Sequence, residues 1–339
     1  MGLMSAHRWV PGIDMVKPVL ALLVIWIHTQ PLAGITPRVS AYATIGVARL
    51  AVPLYLAISG YLLFRRADAP VRRQLRRVLE LYAVWLVIYL PIIVRDELEE
   101  GLQGPLHLVQ LLLTGGRTHL WYLPAAAVGI VIVAAGLKVL SPGRLLVVLS
   151  CLSAVGTLAY GALDRELLPH GAAAVLSDLE YLSLAPRDGV FTGACFIAAG
   201  AWVGRTGGWR PRTAAWVAGS AWIVLFVEAV ARRSLLFGAH PARPVSTSWL
   251  AALVLVPALL CLLVAVTTAK PLPGQLLARN TGSLVYFIHY WVMLALGADL
   301  VHSAGLVRGV LITLVSFALG AALVQASQLR GLGVLKRLY

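Results

Sequence analysis

The sequence predicts an all-α, polytopic integral membrane protein with about ten transmembrane helices and both termini in the cytoplasm. Of its 339 residues, 60% are hydrophobic and only 12% are charged. The mean hydropathy of +0.85 excludes an ordinary soluble domain. Apolar runs of about 20 residues, enough to cross about 30 Å of hydrocarbon, recur along the chain, and basic residues collect in the short segments between them.

The predicted spans follow this rule in order. They cover residues 18–36, 44–64, 78–94, 119–140, 145–163, 188–204, 213–231, 249–268, 281–298 and 303–325. About two thirds of the 28 Lys and Arg residues fall on the side that holds both termini, which the positive-inside rule assigns to the cytoplasm. The run 105–113 is too short to cross and is expected to lie at the interface or to re-enter the membrane. Because no long polar linker interrupts the chain, residues 1–339 are expected to form a single integral-membrane domain.

Charge and cysteine content exclude two other classes of function. The net charge of +14 lies mostly in the short loops, so it indicates membrane topology and not nucleic-acid binding. The three cysteines fall inside apolar runs without paired spacing, which predicts neither a disulfide framework nor a metal site. The first span lacks a small-residue cleavage site and is expected to be a retained helix, not a signal peptide.

The first span carries an imidazole where hydrocarbon is expected. Pro18 suits the first helical position, which would leave Asp14 and Lys17 just before the helix and place His28 about 15 Å into the membrane, near its midplane. An ionisable group there costs at least about 2.5–3.5 kcal/mol and needs a reason. His28 is either a proton-transferring base or a neutral imidazole bonded to a neighbouring helix. Lys17 either attracts an anion at the cytoplasmic entrance or extends to water as an ordinary interfacial lysine.

Further polar residues mark other spans and loops. Arg49 lies inside the second span, where it needs a carboxylate, carbonyl groups or a water-filled cavity. The densest basic segment precedes the third span and either anchors the topology or binds a polyanionic cytoplasmic cofactor. Its arginines of interest are Arg72, Arg73, Arg76 and Arg77. Candidate binding residues at the outer mouths of the fourth and sixth spans and inside the ninth are His119, Tyr122, Arg187, Asp188, Tyr286 and His289.

Five segments, in this order, resemble the acyltransferase-3 family of integral-membrane acyltransferases. The similarity is greatest to the membrane domain of the vancomycin-resistance membrane serine racemases and to related O-acetyltransferases. The segments are Ile13-Asp14 with Lys17 and His28-Thr29, Arg49 to Pro53 with Ile58 to Tyr61, His119 to Pro124, Arg187 to Gly189 with Phe191, and Tyr286 with Ile288-His289. Two positions depart from the family pattern: Lys17 replaces the usual arginine, and Tyr290 follows His289 where proline is common.

The resemblance implies an activity and its partners. Family members move acyl groups, usually acetyl from cytoplasmic acetyl-CoA, onto hydroxyls of glycans, lipids or small molecules. The essential histidine of the family matches His28, and the basic residue ahead of it matches Lys17. The resemblance therefore implies a multi-pass bacterial plasma-membrane enzyme that uses acyl-CoA as co-substrate and no permanently bound cofactor. The racemase domain of some relatives is not present in this sequence, so serine racemisation is not expected of this chain alone.

Site roles follow from this resemblance and from the chemistry of the residues. The catalytic group is expected to comprise His28, as general base or acyl relay, with Lys17 and Asp14. Arg49 would stabilise developing negative charge or orient the acceptor, and the four arginines before the third span would meet the phosphates of CoA. The sequence leaves the acceptor and the oligomeric state open.

Two rival functions remain open at this point. The racemase relatives are thought to supply serine across the membrane, so Arg49, His28 and His289 would then line a path for a small polar solute such as serine. A non-catalytic assembly partner is the third possibility, and it predicts that neither acyl transfer nor transport responds to His28.

Overall fold

A computed structural model describes residues 9–32, 43, 46–99, 105–115, 119–163, 166–181, 190–236, 250–296 and 305–339. The described residues form α-helices joined by short connections. These are α1 Pro11–Thr29, α2 Ala51–Phe64, α3 Val71–Glu99, α4 Pro105–Thr114, α5 Tyr122–Gly136, α6 Pro142–Leu163, α7 His170–Tyr181, α8 Val190–Thr206, α9 Pro211–Leu236, α10 Ala252–Val264, α11 Gln275–Ala295 and α12 Gly305–Ala326. Three 3₁₀ helices accompany them, at Ala48–Leu50, His119–Trp121 and Gly333–Leu338.

The prediction of an all-α fold is confirmed for the described residues, which contain no strand beyond a single bridge between Trp9 and Thr268. Within the described part of the chain, five helical segments are long and apolar enough to cross a membrane. They are Pro11–Thr29, Val71–Arg95, His119–Gly136, Pro142–Leu163 and Gly305–Ala326. The count of ten spans and the cytoplasmic termini stay predictions.

The short apolar run before the fourth predicted span forms a helix of its own. It is α4, whose 10 residues extend about 15 Å and are too few to cross a bilayer. This agrees with the prediction that the run does not span, and its position at the interface stays a prediction.

The start of α1 differs from the prediction. The helix begins at Pro11, and Pro18 lies inside it, so the placement of Pro18 at the first helical position and of Lys17 before the helix was wrong. Pro11 already supplies the preorganised φ of a helix start, and Ile13 in the first turn is 1% exposed, so tertiary packing extends the helix through the proline. His28 therefore lies about 25 Å from the helix start, in its last turn.

The chain forms two compact units. The first comprises the described residues within Met1–Tyr55, Trp209–Ser220 and Ala258–Tyr339, and the second those within Leu56–Gly208 and Ala221–Pro257. The expected single integral-membrane domain stays a prediction.

The first unit is built on α1, α11 and α12. Trp9 pairs with Thr268 ahead of the two helices, and Lys17 lies against Gly282 further along both, so α1 and α11 run parallel. Gly305, at the start of α12, meets the end of α1, so α12 runs antiparallel to it. Side chains from the three helices form one apolar core: Ala21, Ile25, Val285, Val292 and Ile312.

Gly282 permits the closest approach between α1 and α11. A Cβ atom at this position would lie 2.5 Å from the backbone nitrogen of Pro18 and 2.6 Å from the carbonyl carbon of Lys17. Both neighbours are backbone atoms in a helix, which cannot turn aside as a flexible side chain can. The absence of a side chain therefore sets the distance between the two helices.

Glycines also allow close helix packing in the second unit, between α2 and α8. A Cβ on Gly60 would overlap the Ile197 carbonyl, and one on Gly200 would overlap the Ala57 carbonyl. Small residues that let helix backbones touch are typical of membrane proteins.

A carboxylate on α9 caps the next helix of the second unit. Glu228 Oε1 accepts the Leu250 N–H and Oε2 accepts the Ala251 N–H, each at 3.1 Å. The first N–H groups of a helix have no partner within it, and a negative charge at this end also suits the helix dipole. Glu228 therefore satisfies the start of α10 from another helix.

Replacing Gly282 with alanine is expected to destabilise the protein by about 1–3 kcal/mol, because the added Cβ must push α1 away from α11. Alanine has the higher helix propensity by about 1 kcal/mol, so the loss would occur against the intrinsic preference of the residue. The measurement is thermal unfolding of the purified protein in detergent. Gly219→Ala is the matched control, because its Cβ would meet nothing within 4 Å. Equal stability of the two variants would contradict the close approach.

Candidate functional site

His28 stands in the last turn of α1 with an exposed imidazole. The helix closes just after it: the Gln30 N–H donates to the Trp26 carbonyl at 2.9 Å, and Gln30 adopts a left-handed φ of 44°. The Thr29 hydroxyl donates to the Ile25 carbonyl at 2.9 Å and is buried. These bonds fix the backbone at the histidine while its ring remains accessible.

His289 of α11 lies beside His28. The two ring centroids are 5.3 Å apart and the ring planes are tilted by 38°. The ring of His289 is 1% exposed, and its Nδ1 lies 2.8 Å from the Tyr286 carbonyl oxygen and 3.3 Å from that of Val285. The structure thus brings together the two histidines that the sequence placed in separate spans, one accessible and one buried.

Two further side chains of the first unit surround His28. The Tyr290 ring meets the His28 ring edge to face, with centroids 6.1 Å apart. Arg49, in the 3₁₀ helix Ala48–Leu50, is half-buried and close enough to His28 for a direct electrostatic interaction. The site therefore combines an imidazole pair with one permanent positive charge.

Tyr55 links the two histidines to the close contact between α1 and α11 at Gly282. Its hydroxyl donates to the Lys17 carbonyl at 2.9 Å and lies 3.4 Å from the Gly282 carbonyl oxygen. Its ring packs edge to face on Tyr286 at 5.6 Å, and Tyr286 lies 6.4 Å from the ring of His289. An aromatic row thus runs from the close approach of α1 and α11 to the buried histidine.

Asp14 joins α1 to the start of α11. Its Oδ2 accepts a hydrogen bond from Gln275 Nε2 at 2.6 Å, and Gln275 Oε1 accepts the Leu272 N–H at 2.8 Å. Gln275 is fully buried, so both ends of its amide are satisfied in the interior. Along the axis of α1, Asp14 lies about 21 Å and Lys17 about 16 Å from His28. The three predicted catalytic residues therefore lie on one helix but at different levels along its axis.

The second unit holds two other predicted binding residues. His119, in the 3₁₀ helix before α5, is 5% exposed and packs edge to face on Tyr89 with centroids 5.3 Å apart. The Tyr122 hydroxyl lies 3.4 Å from the Ser59 hydroxyl of α2. Both are polar groups inside an apolar bundle. Arg187 and Asp188, predicted at the mouth of the sixth span, lie outside the described residues.

The predicted cofactor arginines occupy the first two turns of α3. Arg72, Arg73, Arg76 and Arg77 are all exposed. One of them is already paired: Arg76 Nε lies 2.7 Å from Glu80 Oε1, in an ion pair open to solvent. The N-terminal end of a helix carries a partial positive charge, which adds to the four guanidinium groups. This helix start can attract a polyanion.

Sequence reasoning missed three residues of the first unit: Tyr55, Gln275 and Tyr290. Gln275 could have been found as a polar residue that opens an apolar helix. Tyr290 was noted only as a departure from the family pattern. Tyr55 gives no signal in the sequence, because its role depends on two backbone carbonyls that only the fold brings together.

Comparisons with known proteins support the family resemblance found in the sequence. A family model described as an acyltransferase domain matches residues 10–325. The chain is 28% identical over 154 residues to an amino-acid racemase of Enterococcus faecalis, covering 43% of this chain and 22% of that protein. It is 33% identical over 128 residues to a serine/alanine racemase of Enterococcus gallinarum, covering 35% of this chain and 18% of that protein. The chain thus spans about a fifth of the length of these relatives. No solved structure matches it significantly.

The hydrogen bond between Asp14 and Gln275 is expected to give a coupling free energy of about 1–2 kcal/mol, because it involves a carboxylate and a buried amide. The test is a double-mutant cycle with Asp14→Ala and Gln275→Met, read as unfolding free energy in mixed micelles. Methionine keeps the length of the side chain and removes both polar atoms. Additive effects of the two substitutions would show that the pair does not join α1 to α11.

Proposed function

Since this chain belongs to the acyltransferase-3 family of integral-membrane acyltransferases, whose domain covers residues 10–325, we propose that it is a membrane O-acyltransferase with His28 as its general base. The donor is an acyl-CoA, with acetyl-CoA as the first candidate, and the acceptor is a hydroxyl of a glycan, lipid or small molecule. The observation that carries the proposal is the accessible His28 imidazole held beside a buried partner ring and a permanent positive charge.

The reaction proceeds by proton removal and addition. His28 takes the proton of the acceptor hydroxyl as its oxygen attacks the thioester carbonyl, which gives a tetrahedral oxyanion. Collapse of the oxyanion breaks the carbon–sulfur bond, and the CoA thiolate leaves with the proton that His28 had taken. General base catalysis of this kind contributes about 10²–10⁴-fold. An acyl-imidazole relay through His28 is the variant in which the ring attacks first and the acceptor second.

Arg49 supplies the charge that this chemistry needs. A guanidinium near the reacting centre stabilises the negative charge that develops on the carbonyl oxygen, and the effect is strong where water is excluded. Arg49 can also bind a negatively charged group on an acceptor, because its planar guanidinium carries several N–H donors. Tyr122, Arg187 and Asp188 stay predicted acceptor-binding residues, whereas Tyr286 and His119 are 3% and 5% exposed and have almost no surface for an acceptor.

The arginines at the start of α3 are proposed to bind the phosphates of the acyl-CoA. They are exposed, clustered on two helical turns and aligned with the helix dipole. Arg76 shares its charge with Glu80, so Arg72, Arg73 and Arg77 are the stronger candidates.

His28→Ala is expected to lower acyl transfer by at least about 100-fold while leaving the unfolding temperature within a few degrees of wild type, because the ring is exposed and at a helix end. The assay uses purified protein, labelled acetyl-CoA and a membrane extract, with free serine as a second acceptor because a relative is named a serine/alanine racemase. His170→Ala, an exposed histidine at the start of α7, is the matched control and should keep full activity.

The same preparation separates the rival function. Wild-type turnover in a folded His28→Ala protein would rule out the base. Uptake of labelled serine into proteoliposomes that needs no acyl-CoA and disappears in His28→Ala would instead support a transporter.

Replacing Arg72 and Arg73 together with alanine is expected to raise the KM for acyl-CoA about tenfold and to leave the KM for the acceptor unchanged, because these side chains are proposed to bind the phosphates of the donor. Initial rates at varied concentrations of each substrate give both constants. The control is the pair Lys336→Ala and Arg337→Ala, which removes the same charge from the exposed C-terminal 3₁₀ helix. A similar rise of KM in the control pair would show that the effect comes from general surface charge and not from a specific phosphate site.

A further inference from the structure

We propose that His289 is a positioning residue for His28. In this arrangement His289 Nε2 accepts the N–H of the His28 imidazole, turns the other His28 nitrogen toward the acceptor hydroxyl and stabilises the positive charge that His28 gains when it takes the proton. The inference rests on the proposed function of His28 and adds the residue through which that histidine is held.

The tautomer of His289 follows from its backbone contacts. Its Nδ1 lies 2.8 Å from the Tyr286 carbonyl oxygen and 3.3 Å from that of Val285. A carbonyl oxygen can only accept, so Nδ1 carries the proton and donates to both. The neutral ring then has its lone pair on Nε2, which makes that atom a hydrogen-bond acceptor.

The position of His28 matches this acceptor. With ring centroids 5.3 Å apart the two rings are neighbours, and a rotation of the accessible His28 side chain can direct one of its nitrogens toward His289 Nε2. His28 is accessible and can turn, whereas His289 is 1% exposed and fixed by two carbonyls. The accessible ring is therefore oriented by the buried one.

Burial separates the roles of the two histidines. A ring that is 1% exposed has almost no surface for a glycan, lipid or small-molecule hydroxyl, so His289 acts on the substrate through His28. This refines the expectation that His289 binds substrate directly.

The positive charge of Arg49 increases the need for a hydrogen-bond acceptor beside His28. When His28 takes a proton, a second positive charge forms near the guanidinium, and the two like charges repel each other. A neutral Nε2 that accepts the new N–H offsets this repulsion by a charge-assisted hydrogen bond. The remaining ring at the site, Tyr290, meets His28 edge to face and supports its orientation.

Two substitutions separate the two nitrogens of His289. In His289→Gln the amide oxygen falls near the former Nε2 and keeps an acceptor for His28. In His289→Asn the amide nitrogen falls near the former Nδ1 and keeps the bond to the backbone, but the acceptor is lost. Partner groups behind a functional residue commonly contribute 10–100-fold. We therefore expect kcat to fall about 100-fold in His289→Asn and no more than about tenfold in His289→Gln, with both KM values unchanged.

The control is Ser316→Ala on α12, which removes a fully buried hydroxyl with no hydrogen-bond partner among the described residues. It should keep the wild-type kcat. Equal losses in the Gln and Asn variants, or a larger loss in Gln, would assign His289 to packing alone and overturn the proposal. Full activity in folded His289→Asn alongside an inactive His28→Ala would do the same while leaving the general base in place. An active His28→Ala would instead remove the proposed function.

A spectroscopic readout tests the pairing without turnover. In protein labelled with ¹⁵N-histidine, the His289 signals, assigned by their loss in His289→Gln, should report a protonated Nδ1 and an accepting Nε2. The Nε2 signal should move when His28 is replaced by alanine, because its donor is gone. A Nε2 signal that does not respond to His28 would overturn the pairing.

Discussion

The first unit depends on the contact between the backbones of α1 and α11 at Gly282. No side chain separates the helices there, and Tyr55 donates to the Lys17 carbonyl and approaches that of Gly282 at the same level. Because the two helices run parallel from this point, residues about two to three turns further along each helix meet again, and these are His28 and His289. The close packing at Gly282 and the pairing of the two rings thus lie along the same helix contact.

Polar groups inside an apolar chain need partners, and the partners determine what each group can do. Gln275 is fully buried and uses both ends of its amide, one on Asp14 and one on the Leu272 backbone. The Gln275 amide therefore has a structural role. His28 differs, because it has an accessible ring next to a buried one. An ionisable group inside an apolar helix is typical of functional residues in membranes, which is one reason for the proposed role of His28 as a base.

The sequence predicted much of this site one residue at a time. His28, His289 and Arg49 were identified because an ionisable group in an apolar run is expensive, and that argument needs no fold. Their proximity could not be predicted, because it depends on the register of two helices more than 200 residues apart. The start of α1 was missed for a similar reason: Pro18 has the properties of a first helical residue, and only the burial of Ile13 and the packing of Gly12 on α10 show why the helix begins at Pro11.

The elements around His28 are held together by several contacts within the first unit. The backbones of α1 and α11 touch at Gly282, Gln275 ties Asp14 to the start of α11, and His289 is bonded to two carbonyls of its own helix. A general base gains from this arrangement, since a ring held in place before the substrate arrives needs little reorganisation in the transition state. The geometry of the imidazole pair is therefore compatible with the proposed role of His28 as a general base.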